Sequence, residues 1–140
     1  MLAATSLDVK SSLNGTNGCF NLNGVFVLTD EQKGSVTVDV GHMVSNCQSH
    51  TSFKGVASGN ASGMFSGLVY VAQDAQRTDA VQSSRNVTMD NARIETKPQL
   101  EIYADDVKCS HGATVGQMDG DAILYMRQRG LSLADAKRLQ

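Results

Sequence analysis

Residues 101–116 read EIYADDVKCSHGATVG, and this stretch combines a strand-like pattern with two residue types that bind metals. Side chains at positions i and i+2 of a β-strand point to the same face. A strand here would therefore place Cys109 and His111 side by side and turn Ser110 the other way. Thiolate and imidazole ligands suit zinc or iron–sulfur chemistry. Two ligands do not complete a site, so a metal here would need groups from elsewhere.

Short strand-like runs precede this stretch along most of the chain. Val36, Val38 and Val40 alternate with polar residues, which is the period-2 pattern of a half-buried strand. Turn formers such as Asn, Gly and Ser separate the runs, and residues 20–109 show no convincing amphipathic helix. We therefore predict an all-β body, whose clearest strands are residues 24–28, 35–40, 51–56, 67–71, 80–82 and 100–103.

The pattern of strands alone leaves the architecture open. A sandwich, a barrel and a solenoid each accommodate many short strands, and no strict sequence repeat selects the solenoid. The chain has no Trp and only 5% aromatic residues, so its core must be built from aliphatic side chains.

The pattern changes after Gly116 and predicts two helices. Asp119 can cap a helix that runs to about Arg129, with Gly130 as its stop. Ser132 and Asp135 resemble the capping box of a second helix that runs to the end of the chain.

Composition excludes several classes of function. The net charge of −2 argues against a sequence-independent nucleic-acid surface, and no apolar run approaches the ~20 residues of a membrane span. The chain start lacks the pattern of a signal peptide, and three cysteines do not suggest a disulfide framework. Cytoplasmic residence with reduced thiols is the simplest interpretation.

The sequence carries a long resemblance to a known family. Residues 97–116, together with residues 46–50, 53–56, 65–67, 75–80 and 123–131, resemble the SufB/SufD family of iron–sulfur cluster assembly scaffolds. The Cys109-Ser110-His111-Gly112 string is similar to its SufD branch, whereas SufB-like chains tend to carry a His-Glu-Ala string there. The resemblance implies an all-β, right-handed parallel β-helix core.

The resemblance also implies organisation and partners. Residues 1–116 would be an N-terminally truncated β-helix core, and residues 117–140 the start of a truncated C-terminal helical region. The intact protein would be a scaffold without enzymatic turnover, pairing with a SufB-like subunit and docking a SufC-like ATPase through the missing helical region. A solenoid with an uncapped end exposes strand edges, so we expect the isolated fragment to form homo-oligomers.

The same resemblance implies roles for two residues. His111 would be a ligand or proton-transfer residue at the interface with the SufB-like subunit, and Cys109 a ligand or sulfur relay beside it. The cofactor would be an iron–sulfur cluster that forms transiently at that interface, with none expected in the isolated fragment.

Alternative interpretations remain at this stage. His42, Cys47 and His50 have a spacing that superficially suggests zinc, although no second pair of ligands is nearby. Asp105 and Asp106 could be paired carboxylates, but adjacent strand residues face opposite ways. A SufB-like paralogue and a polysaccharide-active β-helix enzyme are the rival functions. No phosphate-binding glycine motif or nucleophile elbow is present.

Overall fold

The computed structural model describes residues 4–139, which form eight β-strands followed by two short helices. The strands are β1 (Ala4–Leu13), β2 (Cys19–Leu28), β3 (Lys33–His42), β4 (Gln48–Ala57), β5 (Ser62–Val71), β6 (Thr78–Thr88), β7 (Arg93–Ile102) and β8 (Val107–Gln117). The helices are α1 (Gly120–Gln128) and α2 (Leu133–Leu139).

The strands form a parallel β-solenoid of four coils. Sheet 1 has the order β1-β3-β5-β7 and sheet 2 the order β2-β4-β6-β8, and every neighbouring pair is parallel. Each coil contributes one strand to each sheet, so the chain passes from sheet 1 to sheet 2 and back. The predicted all-β solenoid is confirmed. The strands are longer than predicted, and β1 was not among the predicted ones, because polar outward-facing positions hide their ends from the sequence pattern.

Successive coils repeat at a nearly constant spacing. Lys33 pairs with Ser62, which is 29 residues later, and Ser62 pairs with Arg93, which is 31 residues later. The two extra residues lie between Val71 and Asp79, one in the corner after β5 and one at the start of β6. The backbone therefore repeats from coil to coil, while the side-chain types vary. This is why no strict sequence repeat is visible.

The corners between sheet 2 and sheet 1 stack on one another. Asp30, Gly59 and Asp90 occupy equivalent positions in three coils, and all have positive φ. Asn60 N–H donates to the Asp30 carbonyl, and Gly59 N–H donates to an Asp90 carboxylate oxygen. Asp and Gly tolerate this left-handed conformation better than most residues, so they set where each strand ends.

The two sheets fill the interior with different side chains. Sheet 1 supplies mainly aliphatic and aromatic groups, and its fully buried members are Val38, Val40, Phe65, Val69 and Val71. The middle strands of sheet 2 supply many polar ones, namely Ser49, Thr51, Thr78, Gln82, Ser84, Asn86 and Thr88. The interior is thus apolar on one wall and largely polar on the other.

Both predicted helices are confirmed, α1 at its start and its stop and α2 at its start, while the predicted end of α2 at Gln140 lies outside the described residues. Asp119 is the N-cap of α1 and its carboxylate accepts from Asp121 N–H at 2.9 Å, while Gly130 follows the helix with φ of 94°. Ser132 Oγ accepts from Asp135 N–H at 3.1 Å and donates to the Asp135 carboxylate at 2.6 Å, which closes the predicted capping box before α2.

Candidate functional site at the open end of the solenoid

Strand β8 carries the predicted site residues and ends the solenoid. In the part of the chain that the structure describes, β8 pairs with β6 alone, and β7 pairs with β5 alone. The outer edges of these two strands therefore present backbone N–H and C=O groups without a strand partner. The site lies at this open end of the stack.

Cys109 and His111 point to the same side of β8. Cys109 is in register with Ala80 and His111 with Gln82, and both partners face the interior of the solenoid. Ser110 is in register with Val81 on the outer face. The backbone therefore places the thiol and the imidazole side by side, as predicted.

The thiol of Cys109 is partly buried beside an apolar cluster. It packs against the buried residues around Val71 and Ala80. Burial raises the pKa of the Cys109 thiol, and the Asp79 carboxylate raises it further, against a smaller opposite effect from a hydrogen bond with the Ala80 backbone. The thiol is consequently protonated near neutral pH, so a metal or an electrophilic sulfur must displace its proton before binding.

His111 is more accessible than Cys109. It is exposed at the open end, and with Ser110 and Gly112 it borders a shallow groove of about 450 Å³. The groove is also lined by Lys54 and Arg85, which are register partners on β4 and β6, and no carboxylate lines it. The surroundings of His111 are thus positively charged and open to a large partner.

The local residues do not complete a metal site. Within residues 4–139, no three His, Cys, Asp or Glu side chains come close enough together to hold a metal ion. Cys109 and His111 could supply two ligands, a soft thiolate and a borderline imidazole, and a metal held by them would need further ligands.

Sequence reasoning did not single out Gln82, which lies directly beneath His111 in the stack. Its side chain is only 1% exposed, and neither polar atom of its amide has a hydrogen-bond partner among residues 4–139. Thr96 Oγ1 on the opposite wall is also buried and unpartnered. The signal available in the sequence was a large polar residue at an inward position of an alternating run, between Ala80 and Ser84.

The zinc-like spacing of His42, Cys47 and His50 does not correspond to a cluster. His42 is buried and its Nε2 lies 2.8 Å from Ser49 Oγ, while the Cys47 thiol donates to the Gly15 carbonyl at 3.2 Å. His50 is exposed on the outer face of sheet 2. The three side chains therefore belong to different surroundings, and burial alone lowers the pKa of His42.

Asp105 and Asp106 lie in the bend before β8, and Asp106 joins this bend to the preceding corner through its backbone. Asp106 N–H donates to Gln76 Oε1 at 2.8 Å, and the Asp106 carbonyl accepts from Arg77 N–H at 2.6 Å. These bonds join two neighbouring corners. They favour the structural interpretation of this acidic pair over a catalytic one.

No helix among the described residues is both long enough and apolar enough to cross a membrane.

Comparison with known proteins gives one family. Residues 3–140 match the family described as "SUF system FeS cluster assembly, SufBD core domain". The iron–sulfur cluster assembly protein SufD of Escherichia coli is 38% identical over 133 residues, which cover 94% of this chain and 31% of that protein. The SufBD family protein slr0076 of Synechocystis is 52% identical over 80 residues, covering 56% of this chain and 18% of that protein. SufD of Bacillus subtilis is 31% identical over 127 residues, covering 90% and 29%. The chain spans about a third or less of the length of these relatives.

Proposed function

The chain belongs to the SufBD core-domain family of the SUF iron–sulfur cluster assembly system, and on that premise we propose that it is the core of a SufD-like scaffold subunit. It pairs with a SufB-like subunit and works with a SufC-like ATPase. Its own contribution is a pair of ligands at the subunit interface, where iron and sulfide meet. It acts as an assembly platform and not as an enzyme with its own turnover.

The observation that carries this proposal is an incomplete ligand pair at an open end. Cys109 and His111 share one face of β8, and the edges of β7 and β8 have no strand partner among the described residues. Unpaired edges are where a second polypeptide adds strands, because its backbone satisfies the free donors and acceptors. A partner docked there would bring further ligands to the pair.

The chemistry of the two residues suits iron and sulfide as cargo. The raised pKa of Cys109 keeps the thiol protonated until a cation approaches, and the cation then favours the thiolate. The exposed imidazole of His111 can accept that proton or bind iron through a neutral nitrogen. The basic groove beside His111 also favours the approach of anionic sulfide.

The proposal is tested with the full-length protein and its SufB-like partner by anaerobic addition of iron and sulfide. We expect His111→Ala to lower the yield of cluster by about tenfold or more, since loss of a ligand set or its orienting groups commonly has effects of that size. His50→Ala is the control for the loss of an exposed imidazole from the same groove, because His50 also lines that groove but lies on the outer face of β4 and not on the face of β8 that carries Cys109. The circular dichroism and melting temperature of both variants should equal those of the wild type.

Cluster formation that is unchanged in His111→Ala, in a preparation that also requires the partner, would remove His111 from the site. Cluster formation that is independent of the partner would contradict the interfacial proposal as a whole. A parallel Cys109→Ser variant ranks the two residues against each other.

A further inference from the structure

Several glycines leave slots for inward-facing side chains, among them Gly24, Gly55 and Gly67. A Cβ atom on Gly24 would meet the ring of Phe53, and one on Gly55 would meet the ring of Phe26. A Cβ atom on Gly67 would instead lie within 3 Å of the three end atoms of the Gln82 side chain. The slot at Gly24 is filled by an aromatic ring, the slot at Gly55 by a ring and the Asn86 amide oxygen, and the slot at Gly67, nearest the open end, by an amide alone.

The buried amide of Gln82 lowers the stability of the fold. Both its Nε2 and its Oε1 are buried without a hydrogen-bond partner. A buried amide without partners destabilises the fold, and an apolar side chain of the same size would fill the same space at no such cost. Packing therefore does not explain why a glutamine occupies this position.

The position of Gln82 points to His111. The two residues are register partners on β6 and β8, and both face inward. Neighbouring strands lie ~4.8 Å apart, so rotation of the His111 side chain brings its ring within reach of the amide. The inward-facing neighbours of His111 along its own strand are Cys109 and Ala113, and neither carries a group that both donates and accepts strongly.

We propose that Gln82 is a positioning residue for His111. Its amide Oε1 accepts a hydrogen bond from the imidazole N–H that does not face the bound cargo, which leaves the other ring nitrogen unprotonated and free to bind. This fixes the tautomer and the orientation of the ring, which is the usual role of the group behind a metal-binding histidine. The proposal rests on the function proposed above, because it assumes that His111 is the residue being oriented.

The test uses Gln82→Met in the full-length protein, since methionine keeps the length and volume of the side chain and removes both polar atoms. Thr51→Val is the matched control. Thr51 is buried in the same inward row and pairs with Gln82, but it lies one coil further from His111. The first measurement is the melting temperature, which should be equal to or above that of the wild type for Gln82→Met.

The second measurement is the tautomer of His111, read from long-range ¹H–¹⁵N correlations of the ring in the metal-free protein and assigned with His111→Ala. We expect one dominant tautomer in the wild type and in Thr51→Val, and a mixture in Gln82→Met. The third is anaerobic Fe²⁺ affinity in the presence of the partner, which Gln82→Met should weaken about 10- to 100-fold.

The outcomes separate this inference from the proposed function. An identical tautomer ratio in the wild type and Gln82→Met overturns the role of Gln82, whatever His111 does. A shifted tautomer in Gln82→Met combined with normal cluster yield in His111→Ala supports the Gln82–His111 contact and contradicts the role of His111 in assembly. Weaker Fe²⁺ binding in Thr51→Val as well would mean that any loss of buried polarity has this effect, and this too overturns the inference.

Discussion

The two sheets line the interior of the solenoid with side chains of different polarity. Sheet 1 lines the interior with Val38, Val40, Phe65, Val69 and Val71, and sheet 2 lines it with hydroxyl and amide groups that continue toward His111. Apolar burial on sheet 1 supplies stability of about 25 cal/mol per Å² of apolar surface. Polar burial on sheet 2 supplies little or costs stability where partners are missing. Apolar burial is therefore concentrated on sheet 1, and the inward row of polar residues on sheet 2 reaches the neighbour of His111 at Gln82.

Truncation of Phe65 should have the largest effect on stability. Its ring is fully buried and its centroid lies 5.5 Å from that of Phe53. Phe65→Ala leaves a cavity in the apolar cluster, so we expect the free energy of unfolding to fall by about 3–5 kcal/mol. Urea denaturation monitored by circular dichroism measures the change.

The variant on sheet 2 that matches Phe65→Ala is Ser84→Ala, which removes a buried hydroxyl group. Ser84 Oγ accepts from Asn86 Nδ2, and that nitrogen also donates to the Thr114 carbonyl, so one partner remains. We expect a loss of about 1 kcal/mol. Equal losses of unfolding free energy in Phe65→Ala and Ser84→Ala would contradict the conclusion that apolar burial on sheet 1 supplies more stability than polar burial on sheet 2.

Substitution of the glycines at these slots gives a second test of how tightly the interior is packed, with a smaller expected loss of stability. A Cβ atom on Gly24 would lie 2.2 Å from Phe53 Cε1, and this ring is held in the core by Phe65. Gly24→Ala should lower the free energy of unfolding by about 1–3 kcal/mol because the core is overpacked.

Two other glycines sharpen this test in the same denaturation assay. Gly67→Ala should cost less than Gly24→Ala, because the group that it meets is the end of the flexible Gln82 side chain. Gly41→Ala should change stability by no more than about 0.5 kcal/mol, since its nearest atom would be 3.6 Å away. A cost for Gly67→Ala as large as that for Gly24→Ala would show that the Gln82 amide is held rigidly.

His42 is a fully buried polar residue on sheet 1 and gives the smallest expected effect. Burial lowers its pKa, so the folded chain keeps the ring neutral at pH values where an unfolded chain binds a proton. The unfolded state then binds more protons, and the contribution of His42 to stability is complete above about pH 6.5 and is lost as the pH falls below that value.

We therefore expect the free energy of unfolding to decrease between pH 7.5 and pH 5.5, and this decrease to be smaller in His42→Gln, as measured by denaturation at both pH values. His50→Gln, which changes an exposed histidine, is the control and should behave as the wild type. A steeper pH dependence in His42→Gln would reverse the assigned direction of the shift.

Much of the local structure could be predicted from the sequence. The alternation of Val36, Val38 and Val40 predicted an inward face, and the capping residues Asp119 and Ser132 predicted where the helices begin. The spacing of Cys109 and His111 predicted that they share a face. Each of these features depends on residues within a few positions of one another, so a local pattern is enough to specify it.

The tertiary structure decided what lies around those residues. The sequence pattern allowed a sandwich or a barrel until the parallel register of 29 to 31 residues was known, and it grouped His42, Cys47 and His50, which the coils separate. For Gln82 the only sign in the sequence was a large polar residue at an inward position of an alternating run. Strand pairing places Gln82 next to His111, which lies one coil later in the sequence. The hydrogen bonds of this pairing are made by the backbone and do not depend on which side chains are present, so a local sequence pattern does not reveal it.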